Sequence, residues 1–398
     1  MTRHKHALRR LALSTFLFVI PLDVAFAQDA NAVGERLKAV LAAQGMDIAW
    51  TAITGDAASM TLEGTTVALA GQPDKVPLGN VTLADVTEEN GGYKIGTMSL
   101  PNYSVTEDGA TIDITGIAIA GLKLPADGST DPLASVMLYE TADVASMSVK
   151  MADKQLFSMD QLHFEITPPE AGKAMEFSGA AEKFSADLTS VEDAESKKVI
   201  EALGYQTING YFELAGSWQP TDGRMTLSQY DISVEKAGTL GMTFDLAGYT
   251  PDFIKALQDM QKQMAAAPEG GDNSAQGLAM LGLMQQLTFH STSIRFDDDS
   301  ITGKVLEYVA AQQGVKPADL ANQAKAILPI LLGQLGNAEL TAQATQAVSA
   351  YLDDPKSIEV SAEPAEPVPF ALIMAGAMSP TPQDLIKTLA VTITANED

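Results

Sequence analysis

The chain is expected to fold as an α+β protein, a long twisted and curved antiparallel β-sheet on which a helical C-terminal region packs. From about Ile48 to Leu246 apolar residues recur with a period of two, and Gly, Pro, Asn and Asp punctuate the runs, as in antiparallel strands joined by tight turns. From Thr250 the period becomes helical, and two strand-like segments close the chain. With 398 residues, 46% of them apolar, the chain can also bury a sizeable core, which excludes a disordered polymer.

Strands are expected in order at residues 60–69, 81–86, 93–100, 111–124, 136–151, 161–166 and 175–188. Between Ile112 and Ile119 both faces become apolar, which implies cover on both sides there. Val199, Ile200 and Leu203 fall at helical spacing, with Gly204 as the stop of a short helix. The clearest meander runs from Gly210 to Leu246. Phe212, Leu214 and Trp218 share one face of its first strand, and the segment 219–223 reverses the chain. The second strand changes parity from Met225 and Leu227 to Tyr230, Ile232 and Val234, which places a bulge near Ser228 or Gln229. The third puts Leu240, Met242, Phe244 and Leu246 on one side.

Thr250-Pro251 supplies a helix cap and first-turn proline, followed by the stripe Phe253, Ile254, Leu257, Met260 and Met264. A Gly/Pro-containing linker at 265–275 leads to an apolar helix at 276–286, a strand at 287–296, and helices at 300–313, 317–335 and 338–352. Strands at 358–362 and 389–394 end the chain, with an extended proline-rich stretch and a helix starting at Thr381-Pro382 between them. The reading divides the chain into a signal segment 1–27, a β-rich region 28–249 and a mainly helical region 250–398 with terminal strands, the last two forming one continuous unit.

The N-terminus has the form of a secretory signal. Arg3, Lys5, Arg9 and Arg10 precede an apolar run at 11–20, and Ala25-Phe26-Ala27 is a small-x-small cleavage site ending at Ala27. The run is too short to span a bilayer, so the expectation is an exported periplasmic protein with no stable membrane anchor after cleavage. The formal net charge of −26 opposes nucleic acid and anionic headgroups as partners. The absence of Cys excludes disulfides, thiol catalysis and Cys-ligated metals.

No catalytic constellation, cofactor or metal site is expected. Outside the signal only His163 and His290 remain, each in an alternating segment, and there is no Gly-x-Ser-x-Gly elbow and no phosphate-cradling loop. Asp297-Asp298-Asp299 lacks the ligand spacing of a calcium loop and precedes a helix, so a capping role fits better, with Asp299 or Ser300 as the cap. Met260 and Met264, and Met280 and Met284, are i,i+4 pairs flanking the linker. Such thioethers pack cores, form adaptable apolar cover over a ligand, or hold Cu(I). The four methionines are taken as the apolar cover of a ligand site.

The run Leu227-Ser228-Gln229-Tyr230-Asp231-Ile232, the following Gly238-Thr239-Leu240-Gly241, and the terminal Leu389-Ala390-Val391-Thr392-Ile393-Thr394-Ala395-Asn396 resemble envelope proteins grouped around the AsmA and YdgA-type domains. The chain is similar in the same way to an uncharacterised periplasmic family of alphaproteobacterial type. The resemblance implies a grooved β-sheet that handles lipids or helps assemble envelope components. The expected function is therefore a non-catalytic periplasmic protein binding an apolar or lipid-like ligand in a β-groove, with a structural or interaction module of the envelope as the alternative.

Overall fold

The computed structural model describes residues 30–69, 72, 74–168, 173–265, 274–333, 336–377 and 382–397. The signal-like segment, most of the expected linker and Thr381 lie outside the described residues. The chain begins with α1 (Ala30–Ala43), followed by β1 (Met46–Ala49), β2 (Ala52–Gly55), β3 (Ser59–Leu69), β4 (Val76–Glu89), β5 (Gly92–Leu100), β6 (Tyr103–Glu107), β7 (Ala110–Thr115) and β8 (Ile117–Leu124). Then come β9 (Thr141–Met151), β10 (Lys154–Thr167), β11 (Met175–Asp187), α2 (Ala194–Leu203), β12 (Thr207–Gln219), β13 (Arg224–Val234) and β14 (Gly238–Ala247). The last part comprises α3 (Pro251–Ala265), α4 (Ser274–Met284), β15 (Thr288–Asp298), α5 (Ile301–Gln313), α6 (Pro317–Gly333), α7 (Ala338–Asp353), β16 (Ser357–Ala362), β17 (Val368–Pro369), α8 (Phe370–Ala377), α9 (Pro382–Thr388) and β18 (Val391–Ala395).

Among the described residues, eighteen strands belong to one open sheet, and their pairings are antiparallel. β1 and β2 both pair with β3, which leads through β4 and β5 to β8. β7 and β8 are two parts of one path, separated by Gly116 (φ 62), and both lie against β9. From β9 to β15 each strand pairs with its successor, β16 pairs with β15, and β18 pairs with β16.

The parity of the strands is reset by residues in the left-handed region. In β4 the apolar positions step from Val81 and Leu83 to Val86 across Asp85 (φ 53), yet all three belong to the same core, so the step keeps them on one face. The same step recurs in β10, from Phe157 and Met159 to Leu162 and Phe164, across Gln161 (φ 54). On β12 and β13 the register shifts at Ala215/Gly216, opposite Ser228, where the change of parity in the sequence requires it.

Helix α1 covers the first part of the sheet. Its Val33, Leu37 and Val40, at i, i+4 and i+7, are buried with Met60, Leu62, Val81, Leu83, Ile95, Leu122 and Leu124. Sequence patterning left this helix unassigned, because its short apolar stripe follows directly on the signal-like segment. Helix α8 was also missed, since its proline-rich approach reads as extended. Ser300 makes no side-chain capping bond to α5; Asp298 Oδ1 instead accepts from the Thr302 amide at 2.9 Å, correcting the cap expected at Asp299 or Ser300.

Candidate functional site: an open apolar sheet face

The alternation of β9 to β18 sorts their side chains onto two unlike faces. On one, Val144, Leu162, Ala181 and Phe212 stand opposite one another on successive strands, and the row continues through Ile232, Leu240, Phe296, Ile358 and Ala395. Nine strands at about 4.8 Å spacing make this row roughly 38 Å wide. A neighbouring row runs from Met242 through Ile294 and Val360 to Ile393.

The opposite face is polar and internally satisfied. Hydroxyl pairs cross adjacent strands at Thr115–Ser146 (2.7 Å), Ser233–Thr239 (2.8 Å), Thr243–Ser293 (2.9 Å) and Ser361–Thr392 (2.7 Å). Lys150 reaches Asp113 at 3.0 Å, and Ser104 donates to the same carboxylate; these bonds hold Asp113 below the ordinary aspartate pKa. Arg295 lies between Asp297 (2.9 Å) and Glu359 (3.5 Å), and hydrogen bonding to Asp297 raises the guanidinium further. This face is at home in water and needs no further cover.

The apolar face is closed at one end. There Leu246, Phe253, Met260, Leu283 and Leu287 form a cluster under α3 and α4, and Trp218 packs beside it with Met175 and Leu138, donating its indole N–H to the Tyr249 carbonyl at 2.7 Å. Farther along, Leu240, Ile294 and Val360 remain 45%, 52% and 44% exposed. Large apolar side chains side by side on three adjacent strands are not scattered surface residues; they make a contiguous patch.

On β10 to β12, aromatic rings lie over glycines of this face. Phe164 lies over Gly179, Phe184 over Gly210, and Phe177 over Gly216. A Cβ at Gly210 would meet the Phe184 ring at 2.5 Å and the Ser233 carbonyl at 1.9 Å, so only glycine admits the ring there. The alternating apolar positions announced the face in the sequence. Which glycines stand under phenylalanines is revealed only by the pairing across strands.

The four methionines singled out earlier are distributed as follows. Met260 is 7% exposed inside the end cluster, and Met280 and Met284 pack partly buried against it. The side chain of Met264 lies outside the described residues. The three described methionines thus build the clasp at the end of the apolar face and do not line its exposed centre.

The two histidines do not converge. His163 is on β10 and His290 on β15, five strand spacings or roughly 24 Å apart. His163 Nδ1 lies 2.6 Å from Asp143 Oδ1 across the β9–β10 pair on the polar face. Among the described residues no group of three or more His, Asp or Glu side chains is placed to hold a metal ion.

A family described as "Uncharacterized protein" matches residues 231–396, from β13 to β18, less than half of the chain. No curated protein matches the chain. The family match spans the C-terminal side of the apolar face, including Leu240, Ile294 and Val360, and carries no activity with it.

Proposed function

We propose that this protein is a non-catalytic carrier that takes up an apolar, lipid-like ligand on the open face of β12 to β18, and that it works after export to the periplasm. The observation that carries the reading is the exposure of Leu240, Ile294 and Val360 in two adjacent apolar rows of one face, with the polar face of the same strands already satisfied by its own hydrogen bonds. Leaving such a patch in water is costly, and a ligand with alkyl chains removes it from water without needing hydrogen-bond partners. The export reading is supported by the basic, apolar and small-residue order of the N-terminus.

The test is native mass spectrometry with lipid extraction on protein purified from its own compartment. A reproducible apolar adduct released on extraction is the expected result; protein that is consistently empty, with an apolar face that binds no added fatty acid, would refute it. An interaction module is the second reading. Ile327, Ile330 and Leu331 favour it, because they form an i, i+3, i+4 stripe on α6 that is 52%, 71% and 58% exposed and separate from the sheet face.

A further inference from the structure

We propose that α4 and α8 form a docking tip for a neutral, zwitterionic bilayer surface, through which the apolar face of the sheet exchanges its ligand; this rests on the carrier reading above. Neither helix contains a charged residue, in a chain with a net charge of −26. Helix α4 buries Leu283, with Met280 and Met284 partly buried beside it, yet its other side is also apolar: Leu278 is 70% and Leu281 40% exposed. On α8, which packs against α4, Leu372 is 59% exposed. A helix that is apolar all round belongs inside a core or against hydrocarbon, and this one has a side with no core.

The kind of cover follows from what the patch lacks. Among the described side chains of α4, the exposed positions are Gly277, Leu278, Ala279, Leu281 and Gly282, none of which can hydrogen-bond through its side chain. A protein partner forms about one hydrogen bond per 100–200 Å² of interface. Hydrocarbon asks for none. At eleven residues α4 is about 16 Å long, too short to cross a bilayer core of about 30 Å, so it lies on the surface. The overall negative charge selects a zwitterionic surface over an anionic one.

The tip is continuous with the sheet. Phe370 of α8 stands 6.5 Å, centroid to centroid, from Phe289 of β15, and Phe289 pairs with Leu246 at the covered end of the apolar face. The tip thus adjoins the covered end of the apolar face, with the end cluster between it and the open rows.

The test is flotation of the full chain with phosphatidylcholine vesicles, comparing wild type with Leu278→Ser/Leu281→Ser/Leu372→Ser, and with Leu278→Ser alone should the triple variant melt earlier by circular dichroism. Wild type is expected to float, the triple variant to partition at least tenfold less, and added phosphatidylglycerol to lower the wild-type fraction. Wild type that stays in solution, a variant that floats equally, or light scattering showing a wild-type dimer that the substitutions dissociate would each overturn the proposal, the last by assigning the patch to a second copy. Binding of cis-parinaric acid without vesicles separates the two readings. Its retention in a protein that does not float removes the tip alone, and its absence in a protein that floats removes the carrier alone.

Discussion

The most direct perturbation of the apolar face is the triple substitution Leu240→Ser/Ile294→Ser/Val360→Ser. These residues sit on three adjacent strands, with Ile294 and Val360 directly paired. Fully burying such a side chain is worth roughly 1.5–3 kcal/mol. Because the three are 45%, 52% and 44% exposed, about half of that remains for a ligand to gain, or about 1 kcal/mol each. The triple variant should thus bind cis-parinaric acid about 3 kcal/mol more weakly, a factor of roughly 100 in Kd. Its stability should also fall, by about 1 kcal/mol per residue, because the buried halves of the three side chains are lost as well. Leu83→Ala is the opposite control: Leu83 is 0% exposed in the α1 core, and its truncation should cost about 2–5 kcal/mol of stability while folded protein keeps its affinity. Fluorescence titration with parallel melting curves reads both quantities. Unchanged affinity in the folded triple variant would show that the face takes up no ligand and the reasoning mistaken.

Gly210→Ala places a methyl group against the Ser233 carbonyl and the Phe184 ring, so it should destabilise the sheet by about 1–3 kcal/mol, measured by urea unfolding. Asp298→Ala removes the side-chain acceptor of the Thr302 amide and should cost about 1 kcal/mol, seen as an earlier melt that Asp298→Asn largely restores. The carboxylates of Asp113, Asp187 and Asp193 are each held below the ordinary value, chiefly by hydrogen bonds from Ser104, Thr189 and Ser196. Groups depressed in the folded state stabilise it above the unfolded pKa of about 3.9, and that contribution is lost as pH falls through the lower folded values. Acid titration should therefore show stability declining below about pH 4, with a shallower decline in Asp113→Asn; an identical slope would remove Asp113 from the account.

Much of the architecture was legible because alternation and helical spacing are local properties. Met225, Leu227, Tyr230 and Ile232 announced both a strand and its bulge, and Thr250-Pro251 announced the start of α3. Helix α1 escaped because its apolar stripe is short, and its burial depends on β3, β4, β5 and β8, which lie farther along the chain. The methionine pairs were correctly placed on two helices around the linker, but periodicity describes a helix's own faces and not the neighbour each face meets. Only the packing reveals that Met260 sits in the end cluster while Leu278 and Leu281 face outward.

The order of residues alone determined that this chain forms strands with one apolar and one polar side, followed by apolar helices, because a period of two or of 3.6 fixes which side chains share a face. Whether that apolar side is covered was decided by the tertiary structure. Cover depends on where α1, α3 and α4 come to rest, and those helices reach only the first strands and one end of the sheet, leaving Leu240, Ile294 and Val360 in contact with water.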